Sequence, residues 1–161
     1  MEQYKEALAE FVSDILENGT DDEQQILFLA RQAIEYKRAQ KAAYLTGFLG
    51  LQGEYLEDGT YRFEVPITAF MYNRLKIVHG GISATIADYT MGALANHVSG
   101  KPCVTSEMKI NYLSPGTGEK LLSTASLLRK GSHMCVCECK IYNERAELVL
   151  AASGTFFYVE G

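Results

Sequence analysis

Residues 72–98, YNRLKIVHGGISATIADYTMGALANHV, decide how this chain is read. The stretch holds Asn73, then His79-Gly80-Gly81, then a single carboxylate, Asp88, among small and apolar residues. Ile82, Ala84, Ile86, Ala87, Met91, Ala93, Leu94 and Ala95 make the helix predicted for residues 80–98 apolar nearly all round, so it must be buried on most sides. A carboxylate in such a helix needs a partner, because desolvating it costs several kcal/mol or raises its pKa. The paired glycines at the helix start leave backbone N–H groups bare of side chains, and these are good donors to a developing negative oxygen. Close helix–sheet packing is the bland reading of the same glycines, and both can hold. A base and an oxyanion site in one helix point to acyl chemistry.

The sequence on either side says what surrounds that helix. Tyr4, Leu8, Phe11, Val12, Ile15 and Leu16 recur at helical spacing, and Asn18-Gly19 supplies a stop. Thr20-Asp21-Asp22-Glu23 is a capping-box pattern that starts a second helix, whose Lys37, Arg38 and Lys41 suit its C-terminal dipole. From about Leu45 the period changes to two. Residues 46–56 read as a strand, Glu57-Asp58-Gly59 as a hairpin turn, and Tyr61, Phe63, Val65 and Ile67 as the inward side of a second strand. After the central helix come four strand-like runs, 103–113, 120–130, 133–142 and 147–159, separated by turn-forming segments. The order is ββαββββ behind a helical preface, which one long antiparallel sheet curled around the helix satisfies.

Composition narrows the function. A charged, helical start rather than a signal peptide makes the cytoplasm the expected location, and no apolar run approaches the ~20 residues that span a bilayer. The net charge of −5 argues against nucleic acid or an anionic membrane as partner. Cys135, Cys137 and Cys139 project from one face of a strand, but C-x-C-x-C is not a zinc spacing and only His133 lies nearby. Free thiols and no metal are expected. His97 and His133 read as surface or packing residues.

The arrangement, with HGG-x-x-A-x-x-A-D at residues 79–88 and VTSEMKINYLSPG at residues 104–116, resembles the hotdog fold, specifically its PaaI-type acyl-CoA thioesterases. The resemblance runs from about residue 44 to residue 158, and Arg129-Lys130-Gly131 resembles the family's next hairpin. It implies an α+β fold, with a helical extension at residues 1–43 and a thioesterase domain at residues 44–161. It further implies that Asp88 acts as general base or nucleophile on a thioester carbonyl, that Gly80 N–H and Asn73 polarise the carbonyl oxygen, and that Ser106 helps hold the water. The resemblance also puts the site across a dimer interface, with Asp88 and Ser106 from one subunit and Asn73 and Gly80 from the other, and has dimers pairing into a tetramer.

The residues themselves leave some roles open. Ser106 shares a strand face with Val104, Met108 and Ile110, so it reaches Asp88 if that face packs on the helix; a local backbone carbonyl could satisfy it instead. His79 reads as a supporting group, either packing at the helix start or fixing the oxyanion loop. Gly81 is placed with the substrate-binding residues. Arg129 and Lys130 beside Gly131, with Arg74 and Lys76 behind them, are the candidates for coenzyme A phosphates in an acidic protein. Coenzyme A enters as part of the substrate, and no separate cofactor is implied. The alternatives are a hotdog dehydratase or hydratase and a non-catalytic acyl-CoA-binding module. A lone sheet would leave edge strands open, which also argues for a homodimer.

Overall fold

The computed structural model describes residues 1–159, which fall into two compact units, residues 1–50 with 68–70 and residues 51–67 with 71–159. The first unit is helical. Helix α1 spans Glu2–Asn18, α2 spans Asp21–Gln40 and α3 spans Tyr44–Phe48. Thr20 caps α2 as its sequence predicts: its hydroxyl accepts from Glu23 N (3.3 Å), while the Glu23 carboxylate accepts from Thr20 N (2.8 Å). The strand predicted for residues 46–56 is shorter than its pattern, because its first part is α3. Tertiary packing overrides the period there. Gly47 lies so close to α2 that a Cβ would sit 2.8 Å from Tyr36 Cβ, and Gln32 Nε2 donates to its carbonyl (2.7 Å). Residues 68–70 join this unit through Ala69 N, which donates to Gln25 Oε1 (2.7 Å), and through edge-to-face contact of Phe70 with Phe48.

The second unit is one six-stranded antiparallel sheet and one long helix. Its strands are β1 (Gln52–Tyr55), β2 (Tyr61–Pro66), β3 (Cys103–Tyr112), β4 (Lys120–Lys130), β5 (Met134–Asn143) and β6 (Leu148–Tyr158), in the order β1-β2-β4-β5-β6-β3. The first hairpin closes as expected, with Asp58 Oδ1 accepting from Thr60 N (3.0 Å) and Gly59 at a φ of +85°. Helix α4, Gly80–Ser99, packs on the sheet. Ser83, Ile86, Ala87, Thr90, Met91, Leu94 and Ala95 recur every three to four residues and form its buried stripe. The helix packs against β2, β4, β5 and β6, whose buried residues include Val65, Leu121, Ala125, Ile141, Leu150 and Phe156.

The all-round burial expected of α4 is only partly present in this chain. Ile82, Ala84 and Ala93 are half-buried, as is Asp88, so one side of the helix stays open. Beneath the closed side, the buried Thr90 and Ser123 hydroxyls bond each other (2.6 Å), and Ser123 also contacts Cys139 Sγ (3.2 Å). Cys135, Cys137 and Cys139 are buried free thiols; burial pushes Cys139 up to about 11 and Cys137 higher still. Among the described residues no helix is long and apolar enough to cross a membrane, and no group of three or more His, Cys, Asp or Glu could hold a metal ion.

Candidate active site

Asp88 lies two turns into α4, and its partner comes from β3. Thr105 Oγ1 donates to Asp88 Oδ1 at 2.7 Å. Ser106, the hydroxyl expected there, is the extra residue of a β-bulge: the pairing of β3 with β6 slips between Thr105 and Glu107. The slip changes parity. Met108, Ile110 and Tyr112 keep their alternation, but the next residue toward α4 becomes Thr105 instead of Ser106. Neighbouring Thr and Ser are chemically equivalent candidates, so strand alternation alone selected the wrong member of the pair for this contact.

The start of α4 is fixed through His79, its N-cap. The His79 ring accepts from Gly81 N at Nδ1 (3.0 Å), and the His79 carbonyl accepts from Ile82 N (2.9 Å) and Ser83 N (3.1 Å). His79 N itself donates to Met71 O (2.8 Å). His79 is therefore a supporting group at the helix start. Gly81, placed among substrate-binding residues by sequence, has its amide committed to the His79 ring. Among the described residues, Gly80 N–H is the first-turn amide with no acceptor.

Asn73 opens the turn that precedes α4. Its Oδ1 accepts from Leu75 N (2.8 Å) and Ile77 N (3.4 Å), while Lys76 N donates to its carbonyl (3.0 Å). Its amide oxygen is thus occupied, and among the described residues its Nδ2 donor has no acceptor. Asn73 and Gly80 line one cleft of about 360 Å³, together with Ile77, Tyr112, Pro115 and Val149. One chain brings Asn73 and Gly80 together and, separately, Asp88 and Thr105. It does not bring the two pairs to one carbonyl, because eight residues of α-helix separate Gly80 from Asp88 by about 12 Å.

A family model described as "Thioesterase superfamily" matches residues 75–150, which contain Gly80, Asp88 and Thr105. The Saccharolobus solfataricus protein named "Putative esterase SSO2140" is 31% identical over 119 residues, covering 73% of this chain and 85% of that one. The chain belongs to the thioesterase superfamily. The structure of BH2602 from Bacillus halodurans with CoA matches at a TM-score of 0.82 and 32% identity, over 91% of this chain and 99% of that one. The Escherichia coli PaaI structure, 24% identical over 83% of this chain and 97% of its own, shares the fold at a TM-score of 0.69. The hotdog architecture and a thioester hydrolase are thereby established for this chain.

The basic residues of this thioesterase divide on inspection. Lys130 Nζ donates to Val98 O (2.5 Å), where it meets the carbonyl end of α4. Gly131 closes the β4–β5 turn, with its N–H on Met134 O (2.8 Å). Arg129, Arg74 and Lys76 are exposed and form no ion pair among the described residues. Lys130 and Arg129 lie toward the far end of α4 from the Asn73–Gly80 cleft, a helix length of about 30 Å away.

Proposed function

We propose that this thioesterase hydrolyses an acyl-CoA, with Asp88 as base or nucleophile and with Gly80 N–H and Asn73 Nδ2 as donors to the thioester carbonyl oxygen. The observation that carries the reading is the free Gly80 amide beside the free Asn73 donor, in a chain where the one carboxylate of α4 is already tethered by a hydroxyl. The CoA in BH2602 supports coenzyme A as the thiol.

The chemistry balances with these groups alone. Asp88 takes a proton from water as its oxygen attacks the carbonyl carbon, and the negative charge that develops on the carbonyl oxygen is met by Gly80 N–H and Asn73 Nδ2. Collapse of the tetrahedral species breaks the C–S bond, and the departing thiolate takes the proton back. The products are a carboxylic acid and the free thiol. If Asp88 attacks directly, the intermediate is a mixed anhydride that water then opens. In either course Thr105, bonded to Oδ1, leaves Oδ2 for the reaction.

Two copies complete the site in this reading. A base and an oxyanion donor must both lie ~3 Å from one reacting centre, whereas Gly80 and Asp88 of one chain stand about 12 Å apart. Strand β3, which carries Thr105, is a ten-residue edge that no other strand among the described residues pairs on its outer side. A second copy joined along this edge, two-fold related, sets its Asn73 and Gly80 opposite Asp88 and covers the open side of α4. Arg129, with Arg74 and Lys76 from across that interface, supplies charge for the CoA phosphates. The domain that does this spans residues 44–161, with residues 1–43 as an extension.

The test is release of free thiol from a series of acyl-CoAs. A general base contributes ~10²–10⁴ in rate, so Asp88→Asn should lower kcat by at least about 100-fold while the protein stays folded. Normal turnover by Asp88→Asn would remove the mechanism.

A further inference from the structure

Tyr112 ends β3 on the side that faces α4. Its hydroxyl donates to Gly80 O at 3.1 Å. Its ring lies so close over Gly80 that a Cβ there would meet Tyr112 Cε1 at 3.2 Å. The carbonyl of Gly80 and the N–H of Gly81 belong to one peptide plane. That plane is therefore gripped at both ends, by the Tyr112 hydroxyl at the oxygen and by His79 Nδ1 (3.0 Å) at the nitrogen. The plane before it carries the free Gly80 N–H, and its carbonyl end is held by Ile82 N and Ser83 N.

We infer that Tyr112 is a positioning residue, whose hydroxyl fixes the Gly80–Gly81 peptide so that Gly80 N–H points at the carbonyl oxygen of the substrate. Gly80 joins this plane to the one that carries its own N–H, and a glycine turns more freely between its two planes than any other residue, so the direction of that N–H depends on how both planes are held. An oxyanion donor is effective because its orientation is set before charge develops. Tyr112 supplies one of the two side-chain restraints, and His79 the other. The inference rests on the reading of Gly80 as the oxyanion donor.

The experiment compares wild type, Tyr112→Phe and Asp88→Asn with one acyl-CoA, measuring kcat and KM separately. Phenylalanine keeps the ring over Gly80 and removes only the hydroxyl. Because a whole oxyanion donor is worth ~10²–10³ in rate and here only its aim is loosened, kcat of Tyr112→Phe should fall about tenfold with KM unchanged. The Gly81 amide nitrogen resonance should shift with it, since the carbonyl of the same peptide loses its donor. A Tyr112→Phe kcat within twofold of wild type overturns the inference, as does a rise in KM at unchanged kcat, which would mark a plain contact to substrate. If Asp88→Asn also turns over normally, the underlying site reading fails; if Asp88→Asn is dead and Tyr112→Phe is not slowed, only the role of Tyr112 fails.

Discussion

Thr105 and Ser106 are adjacent hydroxyls, and a one-residue bulge decides which of them serves Asp88. In a regular strand, residues 106, 108, 110 and 112 share a face, so a reading by alternation reaches Ser106. The bulge is a backbone event with no mark in the side chains, which is why it was not legible. The structure thus separates two variants that differ little on paper. Thr105→Ala leaves the Asp88 carboxylate without its hydroxyl and should lower kcat roughly tenfold, since a neutral hydrogen bond to a charged group is worth about 1.5–3 kcal/mol at most. Ser106→Ala should stay within about twofold of wild type, as among the described residues the hydroxyl bonded to Asp88 is that of Thr105. Equal losses in both variants would count against the bulge as the determinant. The proposed roles of Asp88 and Asn73 come from other signals: Asp88 is the one carboxylate of an apolar helix, and Asn73, ordinary in a turn, stands out through its spacing from His79.

At the scale of elements, the signals that survived were those written in local chemistry. The capping box at Thr20–Glu23 formed as its sequence prescribes, because both halves of the motif lie within one turn. The start of β1 did not, because Gly47 answers to Tyr36 and Gln32 of α2, more than ten residues away. The capping box also makes a pH prediction. Hydrogen bonds from the Thr20 backbone and then its side chain hold the Glu23 carboxyl below its ordinary value. A depressed folded pKa contributes stability above the unfolded value of about 4.3, and that contribution is lost as pH falls through the lower folded value. An NMR titration of the Glu23 carboxyl carbon should therefore show a midpoint below the ordinary glutamate range, returning toward it in Thr20→Ala. An ordinary midpoint in both proteins would mean that the box is not formed in solution.

For the whole molecule, the order of elements along the chain was readable and the order of strands in the sheet was not. Period-two runs and turn residues give six strands and one helix, and a helix apolar nearly all round implies a sheet wrapped on it. The order of strands places β3 at one of the two edges, so the element that tethers Asp88 is also an edge strand. In the proposed mechanism this links catalysis to assembly, because a base and oxyanion donors separated by about 12 Å of helix call for a second copy. Subunit complementation measures this directly. Asp88→Asn and Asn73→Ala chains, each inactive alone, are co-expressed with different tags, and the double-tagged dimer is isolated. One of its two sites then holds an intact Asp88 from one chain and an intact Asn73 from the other, so the dimer should recover about half of wild-type kcat, as two-fold symmetry requires. A double-tagged dimer as inactive as its parents would contradict the account, because it would place Asp88 and Asn73 of the same chain in one site.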